Sequence, residues 1–202
     1  KDFYCIAAKI KDDPMLMFYD LKTESPKFVA VNFKGQSLLQ SMEIVDQQII
    51  VSFINKNKKT ADLVCRNYNM QGKLVSSDVI PCDPNFEFIS AKLFSISNEN
   101  FLIGNYGMLG ANRVDFPGSQ GVFVTKLVNK NETKFYSFDQ FKTFFGFLSQ
   151  KQKDKIQKKV EKKKEKGDAY RFDNRLFINE VTSNESRLLI SAEVFQPEYR
   201  TN

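Results

Sequence analysis

Histidine and tryptophan are both absent from this chain of 202 residues, and there are only three cysteines. Zinc sites are usually built from clustered cysteine and histidine, so a chain with no histidine and no Cys-x-x-Cys pair offers no such site. Histidine cannot serve as a general acid or base either. Two of the cysteines, Cys5 and Cys65, fall in predicted strands, where a free thiol behaves as a small buried apolar group. A Cys65–Cys82 disulfide stays open, because spacing alone cannot establish a pairing.

Long apolar runs are lacking as well. A membrane-spanning helix needs about 18 or more consecutive apolar residues, and no segment approaches that length. We therefore predict no membrane span. Hydrophobic residues make up 42% of the chain, and the 20 phenylalanines and seven tyrosines suit the pleated surfaces of β-sheets.

The net charge of +6 resides in one short segment. Residues 151–166 hold nine lysines against three acidic residues, and the remainder of the chain has equal numbers of basic and acidic groups. A solvated helix face is the simpler interpretation, and contact with phosphates or an anionic membrane surface is the alternative. Because the surplus of basic charge is confined to one segment, we expect no nucleic-acid partner.

A recurring strand pattern is the main signal for the fold. Similar β-rich runs occur at 3–10, 48–54, 101–106 and 187–194, and each of the first three is followed by two more such runs. We predict a mainly β chain that forms a partial β-propeller of four-stranded antiparallel blades, about three blades plus part of a fourth. The alternative is an ordinary β-sandwich or meander.

Thirteen strands are predicted, which do not complete a set of four-stranded blades. In chain order they fall at 3–10, 15–21, 27–33, 38–45, 48–54, 61–69, 73–80, 89–97, 100–106, 121–128, 132–137, 175–182 and 186–195. Because proteins normally avoid unpaired sheet edges, we expect residues 1–202 to be one propeller-type domain that belongs to a longer chain.

A helical, lysine-rich insertion is predicted at 138–170, between the third and fourth blades. Ser137 and Gln140 fit a capping box, and phenylalanines at three- and four-residue spacing follow. A second capping signal at Ser149 and Gln152 suggests two consecutive helices. Gly167 is a natural C-terminal stop.

The loop at 104–121 holds five of the nine glycines. Its spacing matches no phosphate-binding motif, but loops of this length are often functional. The alternative is a surface excursion without a ligand. In an antiparallel meander this loop and the insertion emerge at the same edge, so both would project from one face. The plausible contact residues of the loop are Tyr106, Asn112, Arg113 and Asp115.

Glu193 is the remaining candidate for ligand binding. It interrupts an otherwise apolar strand, so it can face a propeller channel or a neighbouring blade. The alternative is a carboxylate satisfied by a structural partner. We identify no catalytic residue, no metal site and no cofactor motif.

Three segments carry a resemblance to a known group. Residues 101–107 (FLIGNYG), 119–127 (SQGVFVTKL) and 192–199 (AEVFQPEY) resemble segments of uncharacterised bacterial β-propeller-repeat proteins, over about residues 89–200. The resemblance implies an exported or envelope-associated protein, hence an extracytoplasmic location. It supplies no catalytic residues.

Two function classes follow from these observations. The first is a non-catalytic interaction module that binds a protein or glycan partner through one loop-decorated face. The second is a propeller-type hydrolase or lyase acting on glycans or peptides, with catalytic groups partly on missing blades. The oligomeric state is left open.

Overall fold

Four antiparallel β-sheets follow one another along the chain in the computed structural model. The structure describes residues 3–10, 13–30, 36–57, 60–97, 99–109, 118–128, 132–172, 174–184 and 187–195. The mainly β class is confirmed. The strands form meanders in the predicted order, with bounds that differ from the predicted ones by a few residues.

The first two sheets have three and four strands. Sheet I contains β1 (Phe3–Ile10), β2 (Asp13–Asp20) and β3 (Ser25–Ala30). Sheet II contains β4 (Gln36–Val45), β5 (Gln48–Lys56), β6 (Ala61–Asn69) and β7 (Leu74–Ile80).

The other two sheets lie on either side of the insertion in the chain. Sheet III contains β8 (Phe86–Phe88), β9 (Lys92–Ile96), β10 (Glu99–Met108), β11 (Gly121–Lys126) and β12 (Lys134–Ser137). Sheet IV contains β13 (Arg175–Asn184) and β14 (Arg187–Phe195).

The first strand predicted for the third blade is interrupted. Both β8 and β9 pair with β10, and the residues between them leave the ladder. The carbonyl of Asn105 accepts hydrogen bonds from the N–H groups of Ile89 (2.9 Å) and Ser90 (3.4 Å). Two residues therefore oppose one, as in a β-bulge, and the edge strand bends at that point.

Sheet II is buried on both faces. Along β5, Ile49, Val51 and Phe53 point toward sheet I, whereas Ile50 and Ile54 point toward sheet III. This alternation explains why β5 is a nearly continuous apolar run rather than an apolar–polar alternation. Each such side chain contributes about 1.5–3 kcal/mol when it is fully buried.

Contacts between sheets run mainly from each sheet to the next. Strand β4 contacts β1 and β2 of sheet I and β9 of sheet III, and β13 of sheet IV contacts β9 and β10. Two apolar clusters fill these interfaces, one between sheets I and II and one between sheets II and III. The sheets are therefore packed in series, in chain order.

The outward faces of the two end sheets carry exposed apolar side chains. On sheet I, Tyr4 and Ile6 stand beside Phe28 on the side that faces away from sheet II, and Tyr4 is 62% exposed. On sheet IV, Phe177 and Leu189 lie on the side that faces away from sheet III, and Leu189 is 68% exposed. Neither face is covered by any residue that the structure describes.

The insertion contains one helix instead of two. A 3₁₀ turn (Phe138–Gln140) is followed by turns, and α1 spans Gln150–Lys164. The capping box of Ser149 and Gln152 is confirmed, and Gly167 after the helix has a positive φ of 71°.

Of the two consecutive helices predicted within 138–170, the first, which would precede Ser149 and cover 138–148, does not form. The rings of Phe138 and Phe144 stack with centroids 3.9 Å apart. Residues six apart lie about 120° from each other around an α-helix, so a continuous helix would separate these rings. The turns instead fold the segment back on itself and close a third apolar cluster. That cluster contains Phe138, Phe144, Phe145, Ile156, Val160, Tyr170, Phe172 and Leu176.

All three cysteines are free thiols, so the Cys65–Cys82 disulfide does not form. Burial raises the pKa of the Cys5 thiol to about 11 and that of the Cys82 thiol to about 12. Both are neutral at physiological pH, as expected of thiols that serve packing.

Candidate ligand-binding face

The glycine-rich loop and the insertion begin at the same end of the strands of sheet III. We call this end, where Tyr106, Gly121 and Ser137 lie, the edge of sheet III. Tyr106 of β10 pairs with Gly121 of β11, and Gly121 pairs with Ser137 of β12. The chain leaves β10 soon after Tyr106, returns at Gly121, and enters the insertion just after Ser137. The two connections are therefore adjacent, as strand parity predicts.

A buried polar network fixes the end of this loop. The Asn105 side-chain N–H group donates to the hydroxyl of Ser119 (2.7 Å) and to the carbonyl of Leu176 (3.0 Å), and its oxygen accepts from the hydroxyl of Ser90. The Ser119 hydroxyl also accepts from the N–H of Leu176 at 3.1 Å. These bonds join sheet III to the start of sheet IV, and they satisfy polar groups that would be costly to bury alone.

Gln120 connects the loop end to the insertion. In the amide orientation that satisfies both groups, it donates to the carbonyl of Tyr170 (2.8 Å) and accepts from the N–H of Phe172 (3.0 Å). Its backbone carbonyl accepts from the N–H of Phe138 at 3.0 Å. One residue thus bonds to both ends of the insertion and holds it against the edge of sheet III.

Tyr106 is a core residue at this edge. Its ring packs against those of Phe86 and Phe135, and the residue is only 2% exposed. Burial raises the pKa of the Tyr106 hydroxyl to about 12, although a hydrogen bond with Ser137 lowers it in part. The phenol is therefore neutral, and it forms the floor of the site instead of projecting from the loop.

Of the other predicted contact residues, the structure describes only Glu193, which it does not bring together with Tyr106. Asn112, Arg113 and Asp115 lie outside the described residues. Glu193 lies on the outward face of sheet IV, where it is exposed and accepts a hydrogen bond from the Asn179 side chain at 3.0 Å. Its register partner Phe177 is on the same outward face, so Glu193 points away from sheet III.

A hollow of about 410 Å³ lies between the insertion and the edge of sheet III. Its lining includes Tyr106, Gln120, Asp139, Lys164 and Tyr170. A groove of about 440 Å³ runs along the other side of Asp139 and Lys164, between α1 and the turns at 141–146. Together the two concave surfaces flank the C-terminal half of α1.

An ion pair separates the hollow from the groove. The Lys164 ammonium lies 2.5 Å from the Asp139 carboxylate, whose side chain is only 17% exposed. Burial raises the pKa of Asp139, but hydrogen bonds from Lys164 and Ser137 outweigh it, so the pKa is lowered overall. The carboxylate is ionised at neutral pH and ties α1 to the 3₁₀ turn.

Sequence reasoning missed Gln120, Asp139, Lys164 and Tyr170 as parts of this face. In the sequence, Asp139 has only the appearance of an acidic residue suited to the first turn of a helix. Its partner is 25 residues away, and no local pattern joins the two. The sequence indicates Asn105 weakly as a residue of special role, because it interrupts the apolar run of β10.

No group of three metal-ligating side chains occurs among the described residues, and in the same ranges no helix has the length and apolarity needed to cross a membrane. Comparison of the chain with protein-family models, with curated proteins and with solved structures finds no match in any of the three.

Proposed function

We propose that the chain is a non-catalytic interaction module that binds a protein or glycan partner through the edge of sheet III. The observation that carries the proposal is the pairing of Gly121 with Ser137, which sets the end of the glycine-rich loop beside the start of the insertion. Two long connections that emerge at the same end of one β-meander are typical of a binding surface on a β scaffold.

The insertion has the rigidity that a binding surface needs. It carries its own apolar cluster, and its helix is capped by Ser149. The Asp139–Lys164 ion pair ties that helix to the 3₁₀ turn, and the Gln120 amide attaches the insertion to sheet III. A surface that is ordered before the partner arrives loses less conformational entropy on binding. The hollow beside Tyr170 offers a concave contact zone.

We further propose that the four sheets are successive blades of a β-propeller. Serial packing in chain order, with both faces of sheet II covered by its neighbours, supports this arrangement. The exposed apolar side chains on the outward faces of sheets I and IV support it as well, because a further sheet of the same kind would cover them.

The binding proposal is tested by replacing the two segments proposed to bind the partner while the four β-sheets are left unchanged. Residues 149–167 are replaced by a short Gly-Ser linker in one variant, and residues 110–117 are replaced in another. Binding to a glycan panel and to candidate proteins is measured by surface plasmon resonance. Val128→Lys is the control, because Val128 is 75% exposed and follows β11 at the opposite edge of sheet III.

We expect the replacement at 149–167 to abolish binding of the identified partner and Val128→Lys to leave it intact. The circular dichroism of the sheets should be unchanged in both variants. Full retention of binding in both loop replacements would overturn the proposal.

A further inference from the structure

Six exposed lysines of the insertion lie on one side of α1 and of the turn that follows it. At about 100° per residue they fall within an arc of about 100°. We name this surface the lysine stripe; it consists of Lys151, Lys155, Lys158, Lys159, Lys162 and Lys166. From first to last it extends about 22 Å along the helix.

No acidic residue interrupts the lysine stripe. Asp154, Glu161 and Glu165 share a neighbouring arc, and the first two accept hydrogen bonds from Gln150 (2.7 Å) and Gln157 (3.1 Å). The ion-paired lysines of the helix, Lys163 and Lys164, lie outside the stripe. Within the described part of the chain, none of the six stripe lysines has a carboxylate partner. Their charges are therefore available to an anion.

A hollow of about 260 Å³ opens beside the C-terminal half of the stripe. Its lining consists of Lys159, Lys162, Lys163, Lys166, Asp168 and Tyr170. It combines ammonium donors, the flat ring of Tyr170 and the carboxylate of Asp168, which accepts from the Lys163 ammonium at 3.1 Å. The Asp168 side chain is 58% exposed, so its oxygens can accept from a ligand as well.

We propose that the lysine stripe and this hollow bind a linear anionic polysaccharide whose sugar rings carry carboxylate groups. This inference rests on the proposed function and names its partner class. Evenly spaced ammonium groups match a chain with repeated charges, and lysine attracts anions without the paired geometry that arginine would impose. The hollow has room for a single sugar ring, whose hydroxyls donate to Asp168 and whose face packs on Tyr170.

The same groups fit other polyanions less well. Phosphate groups of a nucleic-acid duplex present only acceptors, so Asp168 would repel them. The stripe and the hollow contain no arginine to read bases, and the single ring of Tyr170 cannot stack successive unpaired bases along a strand. The stripe contains no apolar side chain either, which an interfacial membrane helix requires.

The test uses the full chain and a uronic acid oligomer as the probe, with isothermal titration calorimetry at low salt. A neutral glucan oligomer, a DNA duplex and anionic phospholipid vesicles are the comparison ligands. The stripe variant is Lys155→Glu with Lys162→Glu. The matched control is Lys73→Glu with Lys134→Glu, which makes the same charge change at exposed positions of sheets II and III.

We expect the stripe variant to weaken uronate binding by about tenfold or more and the control to change it by less than about threefold. Asp168→Asn provides a further test. If only net charge mattered, removing this carboxylate would strengthen the binding of every polyanion. The proposal instead predicts weaker uronate binding, because the amide offers the sugar hydroxyls one neutral acceptor oxygen in place of two charged ones.

The proposal is overturned by an absence of uronate binding, by equal losses in the stripe variant and the control, or by stronger uronate binding in Asp168→Asn. Duplex or vesicle binding as tight as uronate binding would overturn it too. The proposed function survives these results if replacement of 149–167 abolishes the binding of another partner. It fails separately if both loop replacements retain binding.

Discussion

Two glycines with nearly the same backbone conformation have different surroundings. Gly72 and Gly167 have φ values of 72° and 71°, where a side chain adds strain. A Cβ at Gly72 would lie 2.8 Å from the ring of Phe18, in the core between sheets I and II. A Cβ at Gly167 would meet nothing within 4 Å. Substitutions at the two glycines therefore distinguish the cost of backbone strain, which both share, from the cost of a packing clash, which only Gly72 adds.

We predict that Gly167→Ala costs about 1–2 kcal/mol of local stability from its conformation alone. Gly72→Ala should cost roughly 1–3 kcal/mol more than that, because Phe18 must shift inside a packed core. Urea unfolding measures the cost at Gly72, and hydrogen exchange of the α1 amides measures it at Gly167. Equal costs at the two positions would show that sheet I does not pack on the turn at Gly72.

Asp139 makes the attachment of α1 to the 3₁₀ turn sensitive to acid. Its pKa in the folded chain lies below the ordinary value of 3.8. The ionised carboxylate therefore stabilises the fold above that ordinary value, and the contribution is lost as pH falls through the folded pKa.

We predict that Asp139→Asn destabilises the insertion by roughly 0.5–1 kcal/mol at neutral pH and by less below about pH 3.8. Protection of the α1 amides against hydrogen exchange measures this difference. Glu165→Gln, at the exposed end of α1, is the control and should show a smaller effect. A cost of Asp139→Asn that stays the same from neutral to acid pH would contradict the ion pair.

At the scale of elements, the insertion is a small unit with few buried side chains of its own. Val160 is the only buried residue of α1. It packs with Phe138 and Phe172, which lie at the start and end of the insertion. The helix should therefore depend on this one contact far more than on its intrinsic propensity.

We predict that Val160→Ala costs about 1.5 kcal/mol, the equivalent of two buried methyl groups. The amides of α1 should exchange faster while those of β5 keep their rates, because the insertion can open without the sheets. Val128→Ala at an exposed position should change neither set by more than about 0.5 kcal/mol. Parallel acceleration in α1 and β5 would show that the insertion and the sheets unfold together.

Local sequence signals predicted most of the strands and the start of the helix. They failed where contacts between residues far apart in the sequence determine the local structure. Apolar and aromatic runs bounded by turns located the strands, and Ser149 with Gln152 located the start of α1. The helix predicted at 138–148 did not form, because the stacking of Phe138 on Phe144 requires a reversal of the chain. The break between β8 and β9 depends on the Asn105 carbonyl, which no pattern in that strand reveals.

The position of the candidate face was predictable, but of the residues that line it only Tyr106 was. Strand parity placed the loop and the insertion at one edge, as the register of Gly121 with Ser137 shows. The groups that line the face depend on side-chain contacts between segments far apart in sequence, such as Asp139 with Lys164 and Gln120 with Phe172.

At the scale of the whole molecule, serial packing distinguishes this chain from a two-layer sandwich. A sandwich buries one face of each sheet, whereas sheet II buries both faces, against sheet I and against sheet III. Radial packing adds a geometric requirement. The sheets must approach each other most closely at their first strands and diverge toward their last strands.

The most direct test of the propeller proposal is a pair of distances between spin labels on sheets II and III. One orthogonally labelled pair joins the first strands, at Glu43 of β4 and Ser95 of β9. The second joins the last strands, at Val75 of β7 and Lys134 of β12. All four positions are exposed. Radial blades predict a clearly longer separation for the second pair, in a single narrow distribution. Equal separations for the two pairs would show parallel layers and would contradict the propeller.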